Sequence, residues 1–264
     1  MGKSKYVNVK FRPDLVNGDI SNLIADDKTD APFAAGDVLF DWFAVDIPKG
    51  GARLLGVTMV INGEDGVAQT ARDIELLFGK SISGTAPTTL GTVNATATAV
   101  NFQTNAIGAV TMDKDVATGL VDSCHIQSTI TGGAGEQGAP SLILEGESST
   151  TAGNGYETIY VAATTAGALD FSTGVLSTEA IDASTPETGS KATIAVDTVD
   201  ARLVFSPGDL VYVHDVDTQI PGKVKTVTQE LITFDTTNTT VDVANNDEII
   251  NATPIKITLH LEVN

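Results

Sequence analysis

Ile255-Lys256-Ile257-Thr258-Leu259-His260-Leu261-Glu262-Val263, entered through Pro254, is the most regular stretch of the chain. Ile255, Ile257, Leu259, Leu261 and Val263 fall on one side, and Lys256, Thr258, His260 and Glu262 on the other. This is the period-2 pattern of a strand with one buried and one wet face. A strand so regular at the end of a chain needs partners already in place. The candidates are the apolar runs at 38–47 and 54–61, separated by the turn-forming Pro48-Lys49-Gly50-Gly51 and followed by a third run at 73–78. The 38–47 run mixes apolar and polar residues on both alternating sets, as expected of a strand covered on both faces.

Just upstream of the terminal strand, Leu203-Val204-Phe205-Ser206-Pro207-Gly208-Asp209-Leu210-Val211-Tyr212-Val213 places a Pro-Gly-Asp turn ahead of an apolar strand. Pro221-Gly222, runs at 223–229 and 230–235, and a closing segment at 245–251 follow. This layout resembles an SH3-like barrel of roughly 50 residues, a size that folds while leaning on a neighbour. Elsewhere short alternating runs recur at 101–112, 123–130, 141–145, 156–164 and 192–196, broken by Gly, Asn, Asp, Ser and Pro, with no long amphipathic helix. The expected fold is therefore all-β: a jelly-roll-like β-sandwich with a small SH3-like β-barrel inserted near the carboxyl end. The expected organisation is an extended amino-terminal arm over 1–37, a sandwich over 38–202 plus 252–264, and the inserted barrel over 203–251.

Composition narrows the function. The 264 residues carry 34 Asp and Glu against 15 Lys and Arg, a formal charge of −19, with the acids spread along the chain. Nucleic acid is not an expected partner, because binding phosphates requires a basic footprint. Dispersed acidity instead keeps copies soluble. The exception is the amino terminus, where Lys3, Lys5, Lys10 and Arg12 precede Pro13 and suit an acidic partner surface. Cys124 is the single cysteine, so no intrachain disulfide forms. No apolar run approaches the roughly 18 residues of a membrane span, and residues 1–10 lack the apolar core of an export signal.

Chemistry-bearing motifs are sparse. Cys124 and His125 suggest a nucleophile pair, but strand neighbours point to opposite faces, and a buried thiol beside a surface imidazole is the expected arrangement. Asp215, Asp217 and Gln219, and separately Asn62, Glu64 and Asp65, offer oxygens in turns. Neither set follows the spaced loop of a Ca²⁺ site, so no metal or cofactor is expected. One Trp and four Tyr are a poor supply of platforms for sugar rings, and Trp42 lies among core-type neighbours. Asn94, Asn238 and Asn251 match the glycosylation acceptor pattern, which has no consequence in a chain that is not exported.

The run Asp41-Trp42-Phe43-Ala44-Val45-Asp46-Ile47-Pro48-Lys49-Gly50-Gly51-Ala52-Arg53-Leu54-Leu55-Gly56-Val57, with Glu75-Leu76-Leu77-Phe78-Gly79-Lys80 beyond it, resembles virion structural proteins of marine tailed phages, cyanophages among them. The resemblance implies a non-enzymatic protein present in many copies on the particle. It suits a capsid decoration or cement protein, assembled in the host cytoplasm and bound to the major capsid protein on the outer shell. A homo-oligomer, such as a trimer, would gain from symmetry-repeated contacts. A carbohydrate- or receptor-binding fibre or adhesin module is the alternative, and a polysaccharide-degrading enzyme is the weakest reading.

Overall fold

The structure, a computed structural model, describes residues 4–17, 22–23, 32–63, 67–98, 102–121, 123–129, 140–171, 175–178, 192–196, 200–214, 219–235 and 247–263. Its strands are β1 (Lys5–Phe11), β2 (Val38–Pro48), β3 (Ala52–Asn62), β4 (Ile74–Lys80), β5 (Ala106–Met112), β6 (Thr118–Val121), β7 (Cys124–Ser128), β8 (Ile143–Leu144), β9 (Glu147–Ser148), β10 (Tyr156–Thr165), β11 (Val175–Thr178), β12 (Thr193–Ala195), β13 (Leu210–His214), β14 (Gln219–Val227), β15 (Leu231–Phe234), β16 (Asp247–Asn251) and β17 (Ile255–Val263). Helical elements among these residues include one four-residue turn, Ala201–Val204, and a 3₁₀ turn at Lys114–Val116.

The strands form three antiparallel sheets. The first has the order β1-β17-β3-β7-β6, with β8 beside β3. The second runs β2-β10-β4-β5, with β9 beside β10, and the third β11-β16-β13-β14-β15-β12. The terminal strand sits where its alternation requires, between β1 and β3. Leu259 lies opposite Val9 on one side and Val57 on the other. Its apolar set faces the second sheet, and one core takes Ile257, Leu259 and Leu261 from β17, Leu54, Val57 and Met59 from β3, and Val45, Ile74, Phe78 and Ile159 from the opposing layer. The first two sheets are thus the layers of a β-sandwich. The chain crosses between them after β2, where Gly50 and Gly51 adopt φ of +102° and +75°, a conformation side chains with a Cβ rarely adopt.

The first half of β2 is covered on both faces. Val45 and Ile47 enter the main core, while Val38 and Trp42 join Leu77, Leu90, Phe102 and Ala162 in a satellite cluster under the 85–98 excursion. Leu90 N–H donates to Asp41 Oδ1 at 2.9 Å and Trp42 Nε1 to the Thr88 carbonyl at 2.8 Å, tying that excursion down.

Residues 5–11, expected as part of an extended arm, lie against their own chain as edge strand β1, paired with β17 from Lys5↔Val263 to Phe11↔Ile257. The residues that form this strand are the alternating Val7, Val9 and Phe11, whose side chains reach the main core.

The third sheet is inserted between β10 and β17, as expected of the carboxyl-terminal unit, but its strand pairing begins before Leu203. β11 pairs with β16, and β12 with β15. Both recruited segments are short, and such segments carry little periodicity. Ser206-Pro207-Gly208-Asp209 forms the anticipated turn, closed by Asp209 N–H to the Ser206 carbonyl at 3.0 Å, with Gly208 at φ +92° in the type II position. β13 and β16 are buried on both faces. Val211, Val213 and Ile249 face a second core with Ile194, Val204, Phe205, Val224, Ile232 and Phe234. Tyr212, Ile250 and Leu210 face the sandwich core.

Candidate functional site

Three places concentrate functional groups: the junction of the third sheet with the sandwich, the inner face of β7, and the outward face of the first sheet.

At the junction, the fully buried Asp209 gathers the polar groups. Its Oδ1 lies 2.5 Å from Arg12 Nη1. Its Oδ2 accepts from Ser206 N–H (2.8 Å), the Ser206 hydroxyl (3.0 Å) and Asn251 Nδ2 (3.1 Å), and lies 3.4 Å from Lys256 Nζ. Lys256 also donates to Ser206 Oγ at 2.6 Å, and Arg12 to the Pro207 carbonyl at 2.8 Å. Burial pushes the Lys256 ammonium below its ordinary pKa, with the Asp209 charge pulling the other way. Asn62 and Asn251 both donate to the Val204 carbonyl, at 3.0 and 2.8 Å. The groups here bond mainly to one another across the boundary, so the junction fastens the third sheet to the sandwich. A groove of about 830 Å³ opens beside it, with Phe43 and Val45 along its apolar side and Lys10 and Lys223 among its cations.

On β7 the alternation is as expected and its phase is reversed. His125 is the buried member, 3% exposed, and Cys124 is half-buried on the other side. Gln127 is buried with His125, while Ile126 is exposed. The pair therefore does not converge, as strand geometry requires. Phase is set by register, His125 opposite Ile61 and Gln127 opposite Met59, which a short run of mixed polarity cannot specify. Burial pushes the His125 imidazole below its usual 6.5, and burial also lowers His260. The unfolded chain takes up protons near pH 6.5 that the folded chain refuses, so this stability is complete above about pH 6.5 and declines as pH falls through it. His125→Leu is expected to flatten the fall in thermal midpoint between pH 7 and pH 5 relative to wild type. Parallel midpoint curves for the two proteins would refute this assignment.

The outward face of the first sheet is a built surface. A chain of side-chain hydrogen bonds crosses four strands: Asn8 Oδ1 to His260 Nδ1 at 2.9 Å, His260 Nε2 to Thr58 Oγ1 at 3.0 Å, and Thr58 Oγ1 to Ser128 Oγ at 3.2 Å. Beside it, strand register aligns Tyr6, Glu262, Arg53 and Ile143 in one transverse row. Tyr6 is 74% and Ile143 62% exposed. Lys10 stands two outward rows from it, beyond Asn8 and His260 and opposite Thr258. The outward side chains of β1, β17, β3 and β7 thus include Lys10, Arg53 and Lys256 but only one carboxylate, Glu262, in a chain where acids outnumber bases 34 to 15. Lys10 and Arg53 are exposed, with no ion-pair partner among the described residues.

Of the amino-terminal cations, Lys5 and Lys10 are therefore exposed on an edge strand and Arg12 is turned inward to Asp209, while Lys3 lies outside the described residues. Glu64, Asp65, Asp215, Asp217 and Asn238 also lie outside them. Among the described residues no three His, Cys, Asp or Glu are grouped to hold a metal ion, and no helix is long and apolar enough to cross a membrane. Comparison with family models, with curated proteins and with solved structures gives no match in any of the three.

Proposed function

We propose that the protein is a non-enzymatic virion structural protein, a capsid decoration or cement protein that binds the outer shell as a homo-oligomer. The observation that carries this reading is the outward face of the first sheet. It is sheet-borne, poor in acids, cross-linked by its own hydrogen bonds and studded with exposed Tyr6 and Ile143. Such a surface suits protein contact, because rigid side chains lose little freedom on association and large apolar groups supply the contact area. Fixed strands also present the same groups at every repeat, the condition under which modest contacts multiply on a symmetric particle. The resemblance of the 41–57 and 75–80 segments to phage virion proteins supports the placement on a shell.

The test is co-sedimentation of the purified full chain with capsids stripped of decoration. Saturable binding at a fixed ratio to the major capsid protein is expected. Absence of binding, together with calorimetric titration of a glycan panel that yields heat, would replace this reading with the receptor-binding one.

A further inference from the structure

The two outward faces of the sandwich carry opposite charge. On the first sheet, Lys10 and Arg53 are exposed and without ion-pair partners among the described residues, and the single carboxylate among the outward side chains of β1, β17, β3 and β7 is Glu262, which stands opposite Arg53 in register. On the second sheet, Asp46 and Glu147 sit on either side of Thr158 in one transverse row, and Glu75 lies opposite Thr164 and Thr111 in another. Their strand neighbours Val45, Ile47, Ile74, Leu76 and Ile159 point into the core, so these carboxylates point out. No Lys or Arg stands on the outward set of these strands among the described residues.

The acids are also held in place. Thr158 Oγ1 donates to Asp46 at 2.7 Å, and Thr111 Oγ1 to Glu75 at 2.8 Å. Glu147 accepts from Ser83 N–H, Gly84 N–H and the Ser81 hydroxyl at 2.7–2.8 Å. The Gly84 amide is the first cause of the lowered Glu147 pKa, so the group stays ionised over a wide pH range. An acid-poor face with free cations and a second face with held carboxylates make each copy complementary to the next, with Lys10 and Asp46 also sharing the groove at the edge between the two sheets.

We infer that the Lys10/Arg53 face of the first sheet docks a second copy of this chain through that copy's Asp46/Glu75/Glu147 face, in a head-to-tail contact. This rests on the homo-oligomer reading above and names its surfaces. Pairing two identical basic faces would instead oppose like charges, and the −19 charge of the chain disfavours any self-contact that does not use its acid-poor face. Head-to-tail contact leaves one face of each kind free until a ring closes.

Sedimentation velocity of the full chain and two variants tests the inference. Lys10→Gln/Arg53→Gln removes the basic face, and Asp46→Asn/Glu75→Gln removes acids while keeping side-chain shape. Wild type is expected to associate at about 0.02 M salt and to weaken at about 0.5 M, where the Debye length is a few ångströms. Each variant alone is expected to associate at least about tenfold more weakly. Mixed in equal amounts, the two variants are expected to form pairs that grow no further, since each retains the face the other lacks. Near-UV circular dichroism matching wild type establishes that the variants are folded, and Lys10→Glu with Arg53→Glu repeats the basic-face test if either fails. Wild-type oligomers left unchanged by both variants would overturn this interface and leave the homo-oligomer reading standing. A wild type that stays monomeric at both salt concentrations would overturn both, and would leave the face to an acidic surface of a different protein.

Discussion

Asp209→Ala is expected to destabilise the protein by about 3–5 kcal/mol, the range for removing one member of a buried charge cluster. The carboxylate is fully buried and serves five donor groups, so its loss strands several at once. Ser206 N–H loses the acceptor that helps close the Pro207-Gly208 turn, and Asn251 loses one of its partners. Arg12 and Lys256 are left beside each other with no counter-charge. Lys256, whose ammonium burial already disfavours, suffers most, while Arg12, with a third of its side chain exposed, recovers part of its loss from water. Asp209→Asn keeps the shape and one acceptor oxygen and is expected to cost less than Ala. Urea denaturation followed by circular dichroism gives both values. A loss below about 1 kcal/mol for Asp209→Ala would show that the cluster is not what fastens the third sheet to the sandwich.

Whether such a cluster can be seen in advance depends on how far apart its members lie in the chain. The Ser206-Pro207-Gly208-Asp209 turn was readable because turn chemistry is local, and the terminal strand because period-2 alternation over nine residues admits one buried face. The inserted position of the third sheet followed from the same strand, since its partners had to lie before the insertion. Arg12 and Asp209 are 197 positions apart in sequence, and the Asn8-His260 contact joins residues 252 positions apart. No local pattern marks either. The acid-poor face is likewise invisible in composition, because Lys10, Arg53 and Lys256 come from three strands and reach one face only through register. His125 shows the complementary limit. Alternation separates it from Cys124, but which of the two turns inward is decided by pairing with β3, where His125 meets Ile61. On β1 the alternation of Val7, Val9 and Phe11 is short and shared with Lys5 and Lys10, so only the pairing with β17 distinguishes an edge strand from an arm.

The consecutive apolar residues Leu210 to Val213 have a physical reason that carries the second large prediction. A strand with one wet face alternates, and one buried on both faces does not. On β13, Val211 and Val213 enter the small core while Tyr212 enters the sandwich core, and on β16 adjacent Ile249 and Ile250 divide the same way. The third sheet is thus a wall shared by two cores, and a wall cannot melt on one side only. Ile249→Ala and Ile250→Ala are each expected to cost about 2–5 kcal/mol, since both side chains are fully buried. Each is expected to shift a single unfolding transition rather than split it. The lone Trp, Trp42, makes this measurable because it lies in the satellite cluster on the second sheet, away from both mutated positions. If the cores are coupled, Trp42 fluorescence and far-UV circular dichroism report one common midpoint in the Ile249→Ala protein. An early circular dichroism transition to which Trp42 is blind would mean that the inserted unit unfolds on its own. In that case neither the shared wall nor the polar junction at Asp209 would be enough to make the third sheet and the sandwich unfold together.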